Sequence, residues 1–310
     1  MTTYVYAGAA DWGGKDPAKC NRGLYRLATD TGTWTALDRG LPNQVEVRCL
    51  TMHPTQPGVV FAGTQVGPYR STDAGNTWER MHFPGDEPVV WSFEIHPADA
   101  RVIYAGTQDM AVYRSEDGGD QWCRLTVPRN PDGLCVMGFP TRMIRLAIDP
   151  TNPDELYAGV EVGGLVRSLD GGTTWTDCNA PLLELATQER YTQKHGPRRA
   201  SEGMMDTHAL AISAAQPGRV FLANRLGVFR SDDKGGWCPS IACMKGRQCD
   251  AGRWLIESAD ASQMALDQRQ SVEQTGSYST TTPARSRSTS TFWPVRRREF
   301  PAAKARLVMV

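Results

Sequence analysis

The 310-residue chain has no apolar run approaching the roughly 18 residues that a membrane-spanning helix needs. Its first residues, MTTYVYAGAADWGG, lack the basic start and apolar core of a secretory leader. Together these absences predict a cytoplasmic protein with no membrane partner, its eight cysteines held as thiols. Paired metal-ligand spacings are missing too. Cys238, Cys243 and Cys249 lie four and five residues apart with no histidine nearby, so no metal and no cofactor is expected. There is no net charge, with 34 basic against 34 acidic side chains. The segment from Cys238 onward holds 11 Lys/Arg and 6 Asp/Glu, which leaves 1–237 mildly acidic and without an electrostatic footprint for nucleic acid. Helical periodicity is absent before the C-terminal part.

What is present is repetition. RSTDAGNTW at 70–78 returns as RSEDGGDQW at 114–122 and RSLDGGTTW at 167–175. A damaged copy, RSDDKGGW, stands at 230–237, and a copy one residue short between its aspartate and tryptophan, RLATDTGTW, at 26–34. The tryptophans fall at 34, 78, 122, 175 and 237, a period near 44. Three other segments keep the same phase. LTMHPTQP, FEIHPADA, LAIDPTNP and LAISAAQP form one set; YVYAGA, VVFAGT, VIYAGT, LYAGV and VFLAN a second; LYRL, PYRS, VYRS, LVRS and VFRS a third. Each unit therefore predicts four short strands separated by turns, and four antiparallel strands per unit of this length is the signature of a β-propeller blade. The fold class is all-β. Five units are recognisable where the length accommodates about seven, and the first lacks its opening strand, which a closed ring would draw from the C-terminus.

A residue present in every unit is more economically structural than catalytic. An aspartate carboxylate accepts hydrogen bonds from backbone N–H groups a few residues on and closes the turn. Glycine supplies a positive φ there, and the tryptophan covers the hairpin and buries apolar area between blades. The scaffold set is Asp30, Asp73, Gly75, Trp78, Asp117, Gly119, Trp122, Asp170, Gly172, Trp175 and Asp233. Calcium would need several further oxygen ligands that this pattern lacks.

The S-x-D-x-G-x-T-W pattern resembles the Asp-box, or BNR repeat, of sialidase-like propellers. It is shared by xyloglucanase-type glycosidases, sortilin-type receptors and photosystem II assembly factors. The resemblance covers 4–237 and is tightest around Asp73, Asp117 and Asp170. It implies that the boxes mark the face away from any ligand. The opposite face carries the turns between second and third strands and the links between blades, the longest being NAPLLELATQERYTQKHGPRRASEGMMDTH at 179–208. Arg48, Trp91, Arg145, Tyr191, His208 and Arg225 are the ligand-binding candidates there. Asp109, Glu161 and Asp206 are the carboxylates placed for glycoside hydrolysis, which requires two. Arginine, tryptophan, histidine and carboxylates around a channel mouth suit an anionic or sugar-like ligand. A solvated polar loop is the other reading of the same residues.

Two functions follow. The first is a non-catalytic scaffold binding a protein or carbohydrate; the alternative is a sialidase-like or xyloglucanase-like glycoside hydrolase. No motif fixes a catalytic set, and the two-propeller cleft that the xyloglucanase resemblance implies exceeds this length. After Trp237 the period stops, and 238–310 reads as an aperiodic Ser/Thr/Arg-rich tail, either disordered or the product of a reading-frame shift near Lys234–Trp237. Blades left without neighbours would expose strand edges and favour self-association.

Overall fold

A computed structural model describes residues 3–10, 22–85, 88–108, 110–127 and 141–236, with the backbone of 246–248, 254–256 and 305–309. Strands β1 (Tyr4–Ala9), β2 (Gly23–Ala28) and β3 (Thr33–Ala36) form the first blade. The second is β4 (Val47–Met52), β5 (Val60–Thr64), β6 (Gly67–Ser71) and β7 (Glu79–Arg80). The third is β8 (Val90–Ile95), β9 (Ile103–Thr107), β10 (Ala111–Ser115) and β11 (Cys123–Leu125). The fourth is β12 (Arg142–Ile148), β13 (Leu156–Glu161), β14 (Gly164–Ser168) and β15 (Thr176–Asp177). Helices α1 (Ala180–Ala186), α2 (Glu189–His195) and α3 (Pro197–Met205) lead to the fifth blade: β16 (Thr207–Ile212), β17 (Val220–Asn224) and β18 (Gly227–Ser231). All strands within a blade are paired antiparallel in chain order, which makes this a β-propeller sheet set.

The C-terminal segment adds β19 (Gly246–Gln248) paired with β20 (Trp254–Ile256), and β21 (Ala305–Met309). β21 runs antiparallel to β1, with Val5 opposite Met309 and Ala9 opposite Ala305. The first blade thus takes its innermost strand from β21. The rest of that segment lies outside the described residues.

The second strands β5 and β9 are buried from end to end because their blades are covered on both faces. Apolar clusters lie between successive blades: Tyr6, Leu37 and Trp78; then Phe61, Phe93 and Trp122; then Tyr104, Leu146 and Val166. The glycine of the YAG segment is explained by this packing. A Cβ at Gly63 would meet Cys49 Sγ at 2.4 Å and Val90 O at 2.7 Å, and one at Gly106 would meet Met143 O at 2.8 Å, so the next blade's inner strand passes where a side chain would stand.

The aspartate hairpins are built alike. Ser71 Oγ accepts from the Gly75 N–H (2.8 Å) and donates to Asp73 Oδ1 (2.9 Å), which accepts from the Thr77 N–H (2.8 Å). Trp78 Nε1 donates to Gly75 O at 3.1 Å. The same bonds recur around Asp117 and Asp170, and the serine–aspartate part around Asp233. Gly75, Gly119 and Gly172 take φ of 87°, 100° and 89°. Asp30 departs from this pattern: it accepts from the neighbouring Thr31 N–H, Ala28 stands where the other hairpins place their serine, and the turn closes from Gly32 N to Ala28 O. The recurring arginines reach the next blade's hairpin. Arg26 donates to Ala74 O, Arg70 to Gly118 O (3.0 Å) and Arg167 to Lys234 O (2.7 Å).

The turns after the inner strands sit on this same face. Gly58 O accepts from the Ala74 N–H, and Arg101 O from the Gly118 N–H, both at 2.8 Å. Their leading residues are interchangeable for one reason: His53 Nδ1, His96 Nδ1, Asp149 Oδ1 and Ser213 Oγ all accept backbone N–H groups two or three residues on. Two of the chain's histidines are therefore turn-forming residues.

Candidate functional site

On the opposite face every inner strand of blades two to five carries one extra residue. Register shifts fall between Val47 and Cys49, Val90 and Ser92, Met143 and Arg145, and Thr207 and Ala209. The bulged residues are Arg48, Trp91, Ile144 and His208, and bulges of this kind re-aim side chains at sheet ends. Arg48, Trp91 and His208 thus sit at one repeat position. Arg145 does not: the bulge has displaced the register by one residue. Arg145 bonds through Nη1 to Ile144 O (3.0 Å) and acts electrostatically on Glu94 of β8. Desolvation lifts the Glu94 carboxyl to about 8, and Arg145 offsets only part of that.

Two residues before each bulge stand Glu46, Val89, Arg142 and Asp206. Each pairs with a residue at the end of its blade's second strand: Gln65, Gln108 and Arg225 just after it, and Glu161 as its last residue. Gln65 Oε1 accepts from the Glu46 N–H (2.7 Å), and the Gln108 N–H donates to Val89 O (3.1 Å). In the fourth blade Arg142 Nη1 reaches Glu161 Oε2 at 2.9 Å, and in the fifth Arg225 reaches Asp206 Oδ2 through Nη2 (2.6 Å) and Nε (3.0 Å). The charge order is inverted between these two neighbouring rungs.

Glu46 also binds Arg48 and, at 3.2 Å, Arg22. Arg48 and Arg142 both lie over the Trp91 ring, their Cζ atoms 4.8 and 4.6 Å from its centroid. Trp91 is only 3% exposed, and its ring is covered by the two guanidiniums.

Around Asp206 the groups converge. His208 Nε2 lies 3.5 Å from Asp206 Oδ2, and Arg225 Nη1 reaches Glu202 of α3 at 3.2 Å. The Asp206 side chain is 6% exposed, and its Oδ1 is buried with no hydrogen-bond donor among the described residues. Burial pushes the Asp206 carboxyl up, but His208 and Arg225 outweigh it and hold it below the usual carboxylate range. Glu161 moves the other way. Burial raises it, the Asp206 charge adds to the rise, and Arg142 and His208 offset only part. Two neighbouring carboxylates driven in opposite directions form the pattern of an acid and a base.

Of the predicted site residues, the structure brings Glu161, Asp206, His208 and Arg225 together, with Arg48 and Trp91 in the adjoining stack. Tyr191 is elsewhere. The 179–208 segment is helical rather than an open polar loop, and Tyr191 is buried with Leu182, Leu185, Ala200 and Met204 against Leu165 and Phe229 of the fourth and fifth blades. Asp109 lies outside the described residues. Arg142 and Glu46 escaped the sequence reading, although their phase, two residues before Ile144 and Arg48, was available. Among the described residues no group of three or more His, Cys, Asp or Glu is placed to hold a metal ion, and no helix is long and apolar enough to cross a membrane.

Comparison with known proteins agrees with this architecture. The family model Sortilin-Vps10 (sortilin, neurotensin receptor 3) matches residues 68–180. The xyloglucanase Xgh74A of Acetivibrio thermocellus is 32% identical over 145 residues, covering 41% of this chain and 17% of that protein. The oligoxyloglucan-reducing end-specific xyloglucanase of Emericella nidulans is 26% identical over 238 residues, 76% of this chain and 26% of its own length. Among solved structures, the GH74 enzyme of Niastella koreensis superposes with a TM-score of 0.51 at 18% identity, covering 76% of this chain and 38% of that one. Fold and likenesses together define a β-propeller that resembles those of the sialidase- and xyloglucanase-like group. The chain spans a small part of the curated relatives' length, 17% of the Acetivibrio protein.

Proposed function

We propose that the helix-bearing face belongs to a glycoside hydrolase acting on β-glucan chains of the xyloglucan type, with Glu161 as general acid and Asp206 as general base. The observation that carries this reading is the pair itself: Glu161 raised, Asp206 lowered, and Asp206 Oδ1 buried with no hydrogen-bond donor among the described residues. In this reading Asp206 takes a proton from water while a protonated Glu161 delivers one to the departing glycosidic oxygen. The names of the relatives support the substrate class.

A non-catalytic carbohydrate- or protein-binding scaffold is the second reading, and one observation favours it. Each carboxylate already has an arginine, Arg142 at 2.9 Å and Arg225 at 2.6 Å, as structural ion pairs do. Reducing-end release from xyloglucan oligosaccharides by the purified chain separates the two. The hydrolase reading expects turnover that falls about 10²–10⁴-fold in Glu161→Gln and in Asp206→Asn. Binding of the same oligosaccharides with no turnover, unchanged in both variants, establishes the scaffold instead.

A further inference from the structure

Trp91 was expected to meet ligand, yet it is buried, and its neighbours give it a different task. Glu46, Arg48, Trp91, Arg142 and Glu161 form one continuous stack contributed by blades two, three and four. The Arg142 and Glu161 side chains are 15% and 12% exposed, so water does little to orient either group. Arg142 opens β12, shortly after a stretch outside the described residues, and two features of the described chain bear on it. One is the isolated bridge between Gln108 and Arg142, which fixes its backbone against the third blade. The other is the indole face under its guanidinium.

We infer that Trp91 is a positioning residue: its ring holds the Arg142 guanidinium in the plane from which it grips Glu161. The inference deepens the role given to Glu161 above and rests on that reading for its catalytic meaning, but the contact is testable without turnover. A guanidinium is planar and stacks on an aromatic face; an ammonium does not present that plane. Arg48, on the same ring, is anchored in turn by Glu46, so the indole meets two cations whose charges are each neutralised at the far end. The groups acting on the Glu161 carboxyl are Arg142 and His208, which lower its pKa, and Asp206, which raises it. Loosening Arg142 removes a lowering influence and leaves the raising ones.

The test is the carboxyl titration of Glu161, followed by NMR on ¹³C-glutamate-labelled full-length chain. Trp91→Leu is expected to move the Glu161 midpoint upward by about half a unit or more, a size set by the loss of one nearby opposite charge. Trp91→Phe, which keeps an aromatic face, should stay near the parent. An unmoved midpoint in folded Trp91→Leu overturns the inference, and so does a Trp91→Phe shift as large as that of Trp91→Leu. If Trp91→Leu does not fold, Arg142→Lys retains the charge and removes the stacking plane: an upward shift supports the inference and no shift overturns it. Failure of hydrolysis with the titration behaving as expected would sink the hydrolase reading and leave Trp91's role standing.

Discussion

On one face of the blades Ser71, Ser115, Ser168 and Ser231 each receive a glycine N–H at 2.8–2.9 Å and pass a hydrogen bond to an aspartate two residues on. On the other, the repeat position two residues before the bulge is Glu46, Val89, Arg142 and Asp206, and no two blades use it alike. Both faces hang on the same backbone ladder. The first face is constrained by its neighbour, since each hairpin glycine abuts the preceding blade: a Cβ at Gly75 would meet Leu37 Cδ1 at 2.9 Å, and one at Gly119 would meet Met81 Sδ at 2.7 Å. The second face carries links whose length and chemistry the stacking leaves free. Sameness marks the scaffold here, and divergence at a fixed phase marks the side on which function can be built.

Substitutions on the hairpin face should cost stability and leave ligand behaviour alone. Trp122 is buried, donates to Gly119 O at 2.9 Å and packs edge-on against Phe83 at 5.0 Å. Trp122→Ala is expected to lose about 3–5 kcal/mol in urea unfolding, the range for a truncated core aromatic. Gly119→Ala should lose about 1–3 kcal/mol, because φ of 100° strains any L side chain and Met81 must yield. An effect near zero in either would break the comparison at its structural end. At the other end, His208 is 43% exposed, and His208→Ala should change stability by no more than about 0.5 kcal/mol. It should still move Asp206 upward, since His208 is one of the two groups that hold that carboxyl down, and a binding or rate profile measured against pH would show its acidic limb displaced to higher pH.

The hairpin face was legible from nine residues of sequence because it depends on local bonds whose donors and acceptors lie within a single turn. The other face was legible in position and less so in detail. A bulge adds one residue without altering composition, so Arg145 looked like the successor of Arg48 and Trp91 when Ile144 holds that place. Charge at a fixed phase was a usable signal for Glu46 and Arg142, hidden by Val89 breaking the series. The helices of 180–205 were signalled by apolar spacing, with Leu182, Leu185 and Ala186 then Ala200 and Met204 at three- and four-residue steps, and by proline in the first turn of α1 and α3. Polar residues between those positions masked the pattern and made Tyr191, a core residue, look like a ligand contact. Blade five departs in one further respect: Ala223 occupies the place of Gly63, Gly106 and Gly159, so its outward face does not offer the same close approach to a following strand.

The smallest expected effect sharpens the comparison within the hairpin face itself. Asp170 and Asp99 are both held down at about 2, for different reasons. Asp170 is held by neutral donors, the Thr174 hydroxyl and N–H and the Ser168 hydroxyl, whereas Asp99 is held chiefly by the Arg101 guanidinium. Both folded-state values lie below the ordinary one near 3.9, so each group adds stability that is present above about pH 4 and is lost as pH falls through its folded value. Salt separates them. Screening shortens from about 10 Å at 0.1 M to about 3 Å at 1 M, which weakens an exposed ion pair and leaves a short neutral hydrogen bond nearly untouched. Carboxyl titrations by NMR in 0.1 M and 1 M NaCl should bring Asp99 part of the way back toward its ordinary value while Asp170 stays where it is. Equal movement of both would mean that the hairpin aspartates are held by the general field of the blades, not by the serine–threonine turn that the repeat encodes.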